Sequence, residues 1–254
     1  MLPPITLKYP ISPAKRGLDT AQVQDLFGLS DNEPSLTIAE GIVLDVQPGE
    51  IVLFTGPSGS GKSSLLRAAG VHLGAFNVDK LNLPDLPLID SMPGPMNDCL
   101  SALAACGLSE GRLMLRTPAE LSDGQRFRFR LALAMVAVPT EFFLVDEFAA
   151  VLDRTLAKVL AFNVRKAACG FANARKAASG FLLATTHEDL IDDLNPDVHV
   201  RCYGEGRIDV ERREVKKNRS ASTMSFGSRT VPDPTGRTSL GGIIGPTTSL
   251  SRAA

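Results

Sequence analysis

Residues 56–63 read GPSGSGKS, between an apolar, β-branched run, Ile51-Val52-Leu53-Phe54-Thr55, and a helical pattern that begins Lys62-Ser63-Ser64-Leu65-Leu66. A strand, a glycine-rich loop and a helix in that order constrain the chain to an α/β arrangement with a phosphate-binding turn. Gly56, Gly59 and Gly61 permit a turn tight enough to aim several backbone N–H groups at one polyphosphate. The helix that follows adds the positive end of its dipole. Pro57, Ser58 and Ser60 complete the loop. Lys62 can reach the β- and γ-phosphates, and Ser63, followed by Ser64, offers a hydroxyl to Mg²⁺. The chain is expected to bind a nucleoside triphosphate; a chance glycine-rich loop is the competing reading.

Four further segments follow in order. Leu121-Ser122-Asp123-Gly124-Gln125 opens a helix. Phe142-Phe143-Leu144-Val145-Asp146-Glu147 is an apolar strand ending in two acids, with Val151-Leu152-Asp153 close behind. Leu182-Leu183-Ala184-Thr185-Thr186-His187 is a second apolar strand, ending in a histidine. At a strand end, Asp146 can hold the water shell of Mg²⁺, and Glu147 can polarise a water facing the γ-phosphate. His187 could hydrogen-bond that phosphate, although a lone histidine is more often structural. Ser122 and Gly124 at a helix N-terminus make an anion-binding element, or simply an N-cap.

As a set, these segments resemble the ABC-type ATPases over about residues 34–205: phosphate loop, signature sequence, acidic strand, D-loop and H-loop. The resemblance implies ATP and Mg²⁺ as cofactors, with Ser63 and Asp146 toward the metal and Glu147, His187 and Lys62 catalytic. It also implies a head-to-tail homodimer across two ATP molecules, in which Ser122 and Gly124 bind the γ-phosphate of the ATP held by the opposite copy, with Gln125 and Asp153 as further nucleotide-binding candidates. The fold it implies is a P-loop α/β domain: a mostly parallel sheet, an N-terminal antiparallel β part and a shortened helical subdomain. The details LSDGQRFR, Phe148 after the acids, and TTHEDL with NPDV downstream resemble a prokaryotic subgroup sometimes fused to a predicted acetyltransferase domain.

Two departures bear on function. Residues 63–120 contain no glutamine, whereas transporter ATPases carry one there, ahead of the helical region that grips a membrane subunit. Leu88-Ile89-Asp90 reads as the equivalent strand end, which makes Asp90 the stand-in toward the metal. No aromatic residue stands in the 30s, where transporters usually stack adenine. The short region before the signature favours a soluble mechanochemical ATPase acting on a protein or on nucleic acid. The alternative is the ATP-binding subunit of a transporter with separately encoded membrane subunits. A P-loop kinase would leave LSDGQ and His187 unexplained.

Composition agrees with such a domain: 254 residues, 44% hydrophobic, formal charge −1. No apolar run reaches the ~18 residues of a membrane span. MLPPITLKYP lacks the apolar core of a secretory signal, and Cys99, Cys106, Cys169 and Cys202 show no metal spacing. These point to a cytoplasmic protein, membrane-associated at most through a partner.

Residues 1–33 read as a leader, with a short helix packing Leu18, Val23, Leu26 and Phe27 on the core and Asp19 as its N-cap. Residues 34–210 read as the ATPase domain, with strands over 36–55 around a Pro48-Gly49 turn and a closing hairpin over 198–210. Residues 211–254 carry eight basic and three acidic groups and read as a disordered Ser/Gly/Pro-rich tail, with only weak support for a nucleic-acid contact. A ten-residue unit starting at Arg165-Lys166-Ala167-Ala168 recurs from Arg175. Ten residues turn a helix about 80° short of whole turns, so one copy is expected to be extruded.

Overall fold

The computed structural model describes residues 3–9, 17–28, 35–170 and 178–213. Its centre is a six-stranded sheet in the order β4-β5-β6-β3-β7-β8, with the two-residue strand β4 (Phe76–Asn77) at one edge. Three strands, β3 (Ile51–Thr55), β5 (Phe142–Val145) and β6 (Gly180–Ala184), are buried at every position. Continuous apolar runs of this kind suit parallel strands covered on both faces. β6 lies between the other two, with Leu53 beside Leu183 and Leu144 beside Leu182.

Strand periodicity sorts the core into two layers. Ile51, Leu53, Phe143, Val145, Phe181 and Leu183 face one side. There they meet helices α3 (Met96–Ala105), α5 (Asp123–Ala137) and α6 (Arg154–Ala168). Val52, Phe54, Leu144 and Leu182 face the other side, against Leu65, Leu66 and Ala69 of α2 (Lys62–His72). Each such side chain contributes roughly 1.5–3 kcal/mol by leaving water. α2 lies so close that a Cβ on Gly70 would sit 2.3 Å from Leu144 Cδ1; a side chain there would push the phosphate-loop helix off the sheet.

The hairpin expected at the end is present: β7 (Val198–Gly204) runs antiparallel to β8 (Arg207–Arg212). Glu205 and Gly206 both take positive φ, 53° and 76°, as a tight two-residue hairpin turn requires. α4 (Gly111–Met114) and α7 (Ile191–Leu194) are single turns. Among the described residues, no helix is long and apolar enough to cross a membrane.

Three expectations change. The leader contains β1 (Ile5–Tyr9), which pairs antiparallel with β2 (Leu36–Ile42) through two register shifts. The antiparallel part is therefore this ribbon, and residues 43–47 are not a strand. α1 (Leu18–Phe27) forms, but none of its residues is buried and its N-cap is Gly17, not Asp19. Its four large apolar groups spread over about 180° of helix surface rather than along one stripe.

Finally, the first repeat copy is not extruded at its start. Arg165-Lys166-Ala167-Ala168 closes α6, with Ala167 and Ala168 fully buried and Arg165 paired to buried Asp197 at 2.6 Å. The matching end of the second copy enters β6, and residues 171–177 lie outside the described residues. The tail beyond residue 213 does as well.

Candidate functional site

The phosphate loop joins the carboxyl end of β3 to α2, as its sequence implies. Gly56 has φ 136°, and a Cβ there would lie 2.0 Å from the Cys202 carbonyl oxygen. Gly61 has φ 91° and would meet Ile38 Cγ2 at 2.5 Å. The backbone conformation and the close approach both require glycine at these two positions. Lys62 is nearly buried, and its ammonium donates to the carbonyls of Gly56 and Pro57 at 2.8 and 2.6 Å. Ser60 Oγ is buried in the loop without a hydrogen-bond partner. A cradle of glycines, a cation and a spare hydroxyl fits a polyphosphate.

The acid pair emerges from β5 on the far side of β6. Asp146 Oδ1 accepts from Ser63 Oγ at 2.9 Å and from the Glu147 N–H at 3.1 Å; its Oδ2 pairs with Arg67 at 3.0 Å. Glu147 and Ala149 have φ 51° and 61°. For non-glycine residues this left-handed backbone costs of order 1–3 kcal/mol each. Buried Phe148 holds the loop against that cost: its N–H donates to the Ala184 carbonyl at 2.7 Å, and its carbonyl accepts from Thr185 Oγ1 at 3.1 Å.

A cavity of about 480 Å³ lies over this junction, lined by Ser58, Gly59, Gly61, Lys62, Ser63 and Ser64 on one side and Asp146 and Glu147 on the other. A second cavity, of about 460 Å³, shares Asp146, Glu147 and Ala150 and is lined further by Arg67, Asp79 and Arg130.

The remaining expected residues divide. Ser122 caps α5, accepting from the Gln125 N–H at 3.3 Å while the Gln125 side chain accepts from the Ser122 N–H at 3.0 Å. Asp153 caps α6 through the Leu156 N–H at 2.9 Å. A Cβ on Gly124 would lie 3.1 Å from Leu152 Cδ2 and 3.2 Å from the Val151 carbonyl, so the signature helix abuts the D-loop. Ser122, Gly124, Gln125 and Asp153 all lie outside the lining of the phosphate-loop cavity. His187 is half-buried at the end of β6, its N–H held by Thr185 Oγ1 at 3.1 Å; Thr185 and Thr186, not His187, line the cavity.

Asp90 is corrected. Leu88-Ile89-Asp90 is a turn, its N–H groups bonded to the Arg116 and Met114 carbonyls, and Asp90 is exposed and lines neither cavity. The strand beside the acid strand is β4 (Phe76–Asn77), paired Phe76 to Phe143, and the acid that follows it is Asp79. At two residues, β4 is too short to show periodicity. A second residue escaped the sequence reading. Tyr9, at the end of β1, places its hydroxyl 3.4 Å from Ser64 Oγ, although 55 positions separate them. The only sequence signal was an aromatic residue in a short β-rich run.

No family model matches the chain. It is 35% identical over 152 residues to a zinc import ATP-binding protein of Roseobacter denitrificans, covering 51% of this chain and 58% of that one. It is 30% identical over 225 residues to an aliphatic sulfonates import ATP-binding protein of Rhodococcus jostii, covering 75% of this chain and 91% of that one. The chain thus spans little more than half the length of the zinc import relatives it matches, 58% and 56%, but nearly all of the sulfonate relative. The dimeric structure of a bacterial ABC transporter cassette superposes with a TM-score of 0.53 at 18% identity, covering 83% of this chain and 97% of that one. The chain belongs to the ATP-binding cassette family of ABC transporter ATP-binding proteins.

Proposed function

We propose that the chain is an ATP-binding subunit of a transporter with separate membrane subunits, and that two copies hydrolyse Mg-ATP between them. The observation that carries this is the junction of Ser63 and Asp146, 2.9 Å apart, with Glu147 next in sequence. Both are hard oxygen donors. Mg²⁺ takes few protein ligands and keeps waters and phosphate oxygens, so two protein oxygens suffice. When bound, the ion would draw charge from the β- and γ-phosphate oxygens. The loop N–H groups and Lys62 hold the phosphates, with Lys62 exchanging its two carbonyls for them. The Glu147 carboxylate accepts the proton of the attacking water as its oxygen bonds to the γ-phosphorus and the bond to ADP breaks. His187 stands at the end of the adjoining strand to bond the γ-phosphate. The Tyr9 ring supplies the stacking surface for the base.

Ser122, Gly124, Gln125 and Asp153 complete the site only from a second copy, since they lie outside the cavity of their own. The short region before the signature pointed to a soluble mechanochemical ATPase. That reading gives way, because the matched relatives are named for import of zinc and of aliphatic sulfonates. The acetyltransferase-fused subgroup rests on its motifs alone and adds no activity here.

Mixing Lys62→Ala with Ser122→Ala chains tests the composite site. One site of a mixed dimer then carries both defects while the other is intact, so activity should return. No rescue in verified mixed dimers would rule out sharing. Co-purification tests the partner: a polytopic membrane protein supports transport, and an exclusively soluble partner opposes it.

A further inference from the structure

The signature helix buries an arginine. Arg128 lies in the second turn of α5 and is only 8% exposed. A guanidinium taken out of water needs hydrogen-bond acceptors to offset the loss. It finds three, all backbone carbonyls. Nε donates to Gly124 at 3.2 Å, and Nη1 donates to Cys106 at 3.3 Å and to Gly107 at 2.6 Å. Gly124 belongs to the first turn of α5, whereas Cys106 and Gly107 close α3.

Both ends of this link suit a cation. The last carbonyls of α3 carry the negative end of its dipole. Gly107 has φ 72°, and a Cβ there would lie 3.0 Å from Arg128 Nη1 and 3.3 Å from Leu156 Cδ1 of α6. The guanidinium therefore packs directly on glycine backbone. Gly124, at the other end, already abuts Leu152 and the Val151 carbonyl of the D-loop, so its peptide is held from two sides. The neighbouring Arg126 bonds within its own segment, to the carbonyls of Pro118 and Leu121 and to Asp123. Arg128 instead reaches a second element.

We propose that Arg128 is a positioning residue for the nucleotide held by the opposite copy: its buried guanidinium pins the first turn of α5 to the end of α3, so that Ser122 and Gly124 are presented to the partner in one orientation. This rests on the site shared between two copies. Loss of the guanidinium leaves three carbonyls without their donor and frees the first turn of α5 to shift against α3. A shift of about 1 Å in a group that positions the reacting atoms costs about 10²-fold in rate.

Mixed dimers of full chains test this in steady-state hydrolysis of Mg-ATP. Arg128→Gln alone should lower kcat about 10²-fold, with the nucleotide affinity of the chain, measured by calorimetry, unchanged. In a mixed dimer with Lys62→Ala, one of the two sites joins an intact phosphate loop to an intact signature, so activity should return to about half the parental rate. In a mixed dimer with Ser122→Ala, both sites carry a faulty signature, and no activity should return. Rescue by Ser122→Ala would place Arg128 outside the signature side and overturn the proposal. Rescue by neither chain would make Arg128 merely structural and overturn it too, as would parental activity of Arg128→Gln.

Amide hydrogen exchange on the chain without nucleotide gives a second readout. Arg128→Gln should speed exchange of the Arg126 and Leu108 N–H groups, which bond the Ser122 and Leu103 carbonyls at 2.8 Å. The Thr185 N–H, bonded to the Phe54 carbonyl at 3.0 Å in the sheet, should keep its parental rate; acceleration there as well would show global loosening and overturn the proposal. Arg128→Lys, which keeps the charge but loses the fork, replaces Arg128→Gln if the latter does not fold. The Lys62→Ala and Ser122→Ala pair is the control. No rescue there sinks the shared site and this inference with it, whereas rescue there beside the wrong Arg128 pattern sinks only this inference.

Discussion

The two halves of the candidate site are built in different ways. The phosphate half hangs from the ends of β3, β5 and β6, each buried at every residue and covered on both faces. The half proposed for the base hangs from the β1–β2 ribbon, which has two register shifts, and Tyr9 there is 46% exposed. Groups that need fixed geometry for chemistry sit where close packing resists displacement. A stacking surface tolerates adjustment, because any base presents a π-face. On the proposed reading, the site is rigid where bonds would change and adaptable where a ring would be gripped.

The comparison breaks most sharply at Glu147. Glu147→Gln keeps shape and hydrogen bonding but not basicity, so hydrolysis should slow by ~10²–10⁴ while nucleotide binding survives. Turnover by rapid mixing and nucleotide affinity by calorimetry separate the two. Parental turnover would show that the rigid half holds no base.

Gly56→Ala probes the rigidity itself. The added methyl meets a backbone carbonyl, not a flexible side-chain end. The strained backbone costs of order 1–3 kcal/mol, and overpacking roughly 1–3 kcal/mol more. A lowered Tm with loss of phosphate binding is expected; an unchanged Tm would mean the loop yields.

Tyr9 probes the adaptable half. Tyr9→Ala should weaken ATP binding by the ~1–3 kcal/mol of a base–aromatic stack without lowering the Tm of the core, and Tyr9→Phe should stay near parental. Equal losses in both variants would assign the effect to the hydroxyl near Ser64 rather than to the ring.

The last effect appears only in acid and touches neither half of the site directly. His199 on β7 bonds Thr55 Oγ1 at 2.8 Å, beneath the phosphate loop. Burial, then Arg201 and Arg213, push its pKa down from 6.5 to about 4, against weaker opposing pulls from Glu211 and Asp209. Between those values the unfolded chain binds a proton that the folded chain refuses. The stability from this group is therefore full above about pH 6.5 and is lost as pH falls toward 4. His199→Asn should flatten the pH slope of unfolding free energy in that window by close to one proton, as urea titrations would show. An unchanged slope would mean that the histidine titrates normally.

Much of this was legible in the linear chain because it is local. The loop glycines, Lys62, Ser63 and the acid pair sit within two short motifs, and uninterrupted apolar runs mark strands covered on both faces. Ser122 announces its helix by capping chemistry. Only tertiary pairing decided the rest. β1 chose β2 as its partner, which carried Tyr9 to Ser64. A two-residue edge strand, too short for any pattern, put Asp79 rather than Asp90 beside the acids. Strand partnership and charge proximity depend on which distant surfaces the core brings together, and periodicity within one segment carries no information about its neighbour.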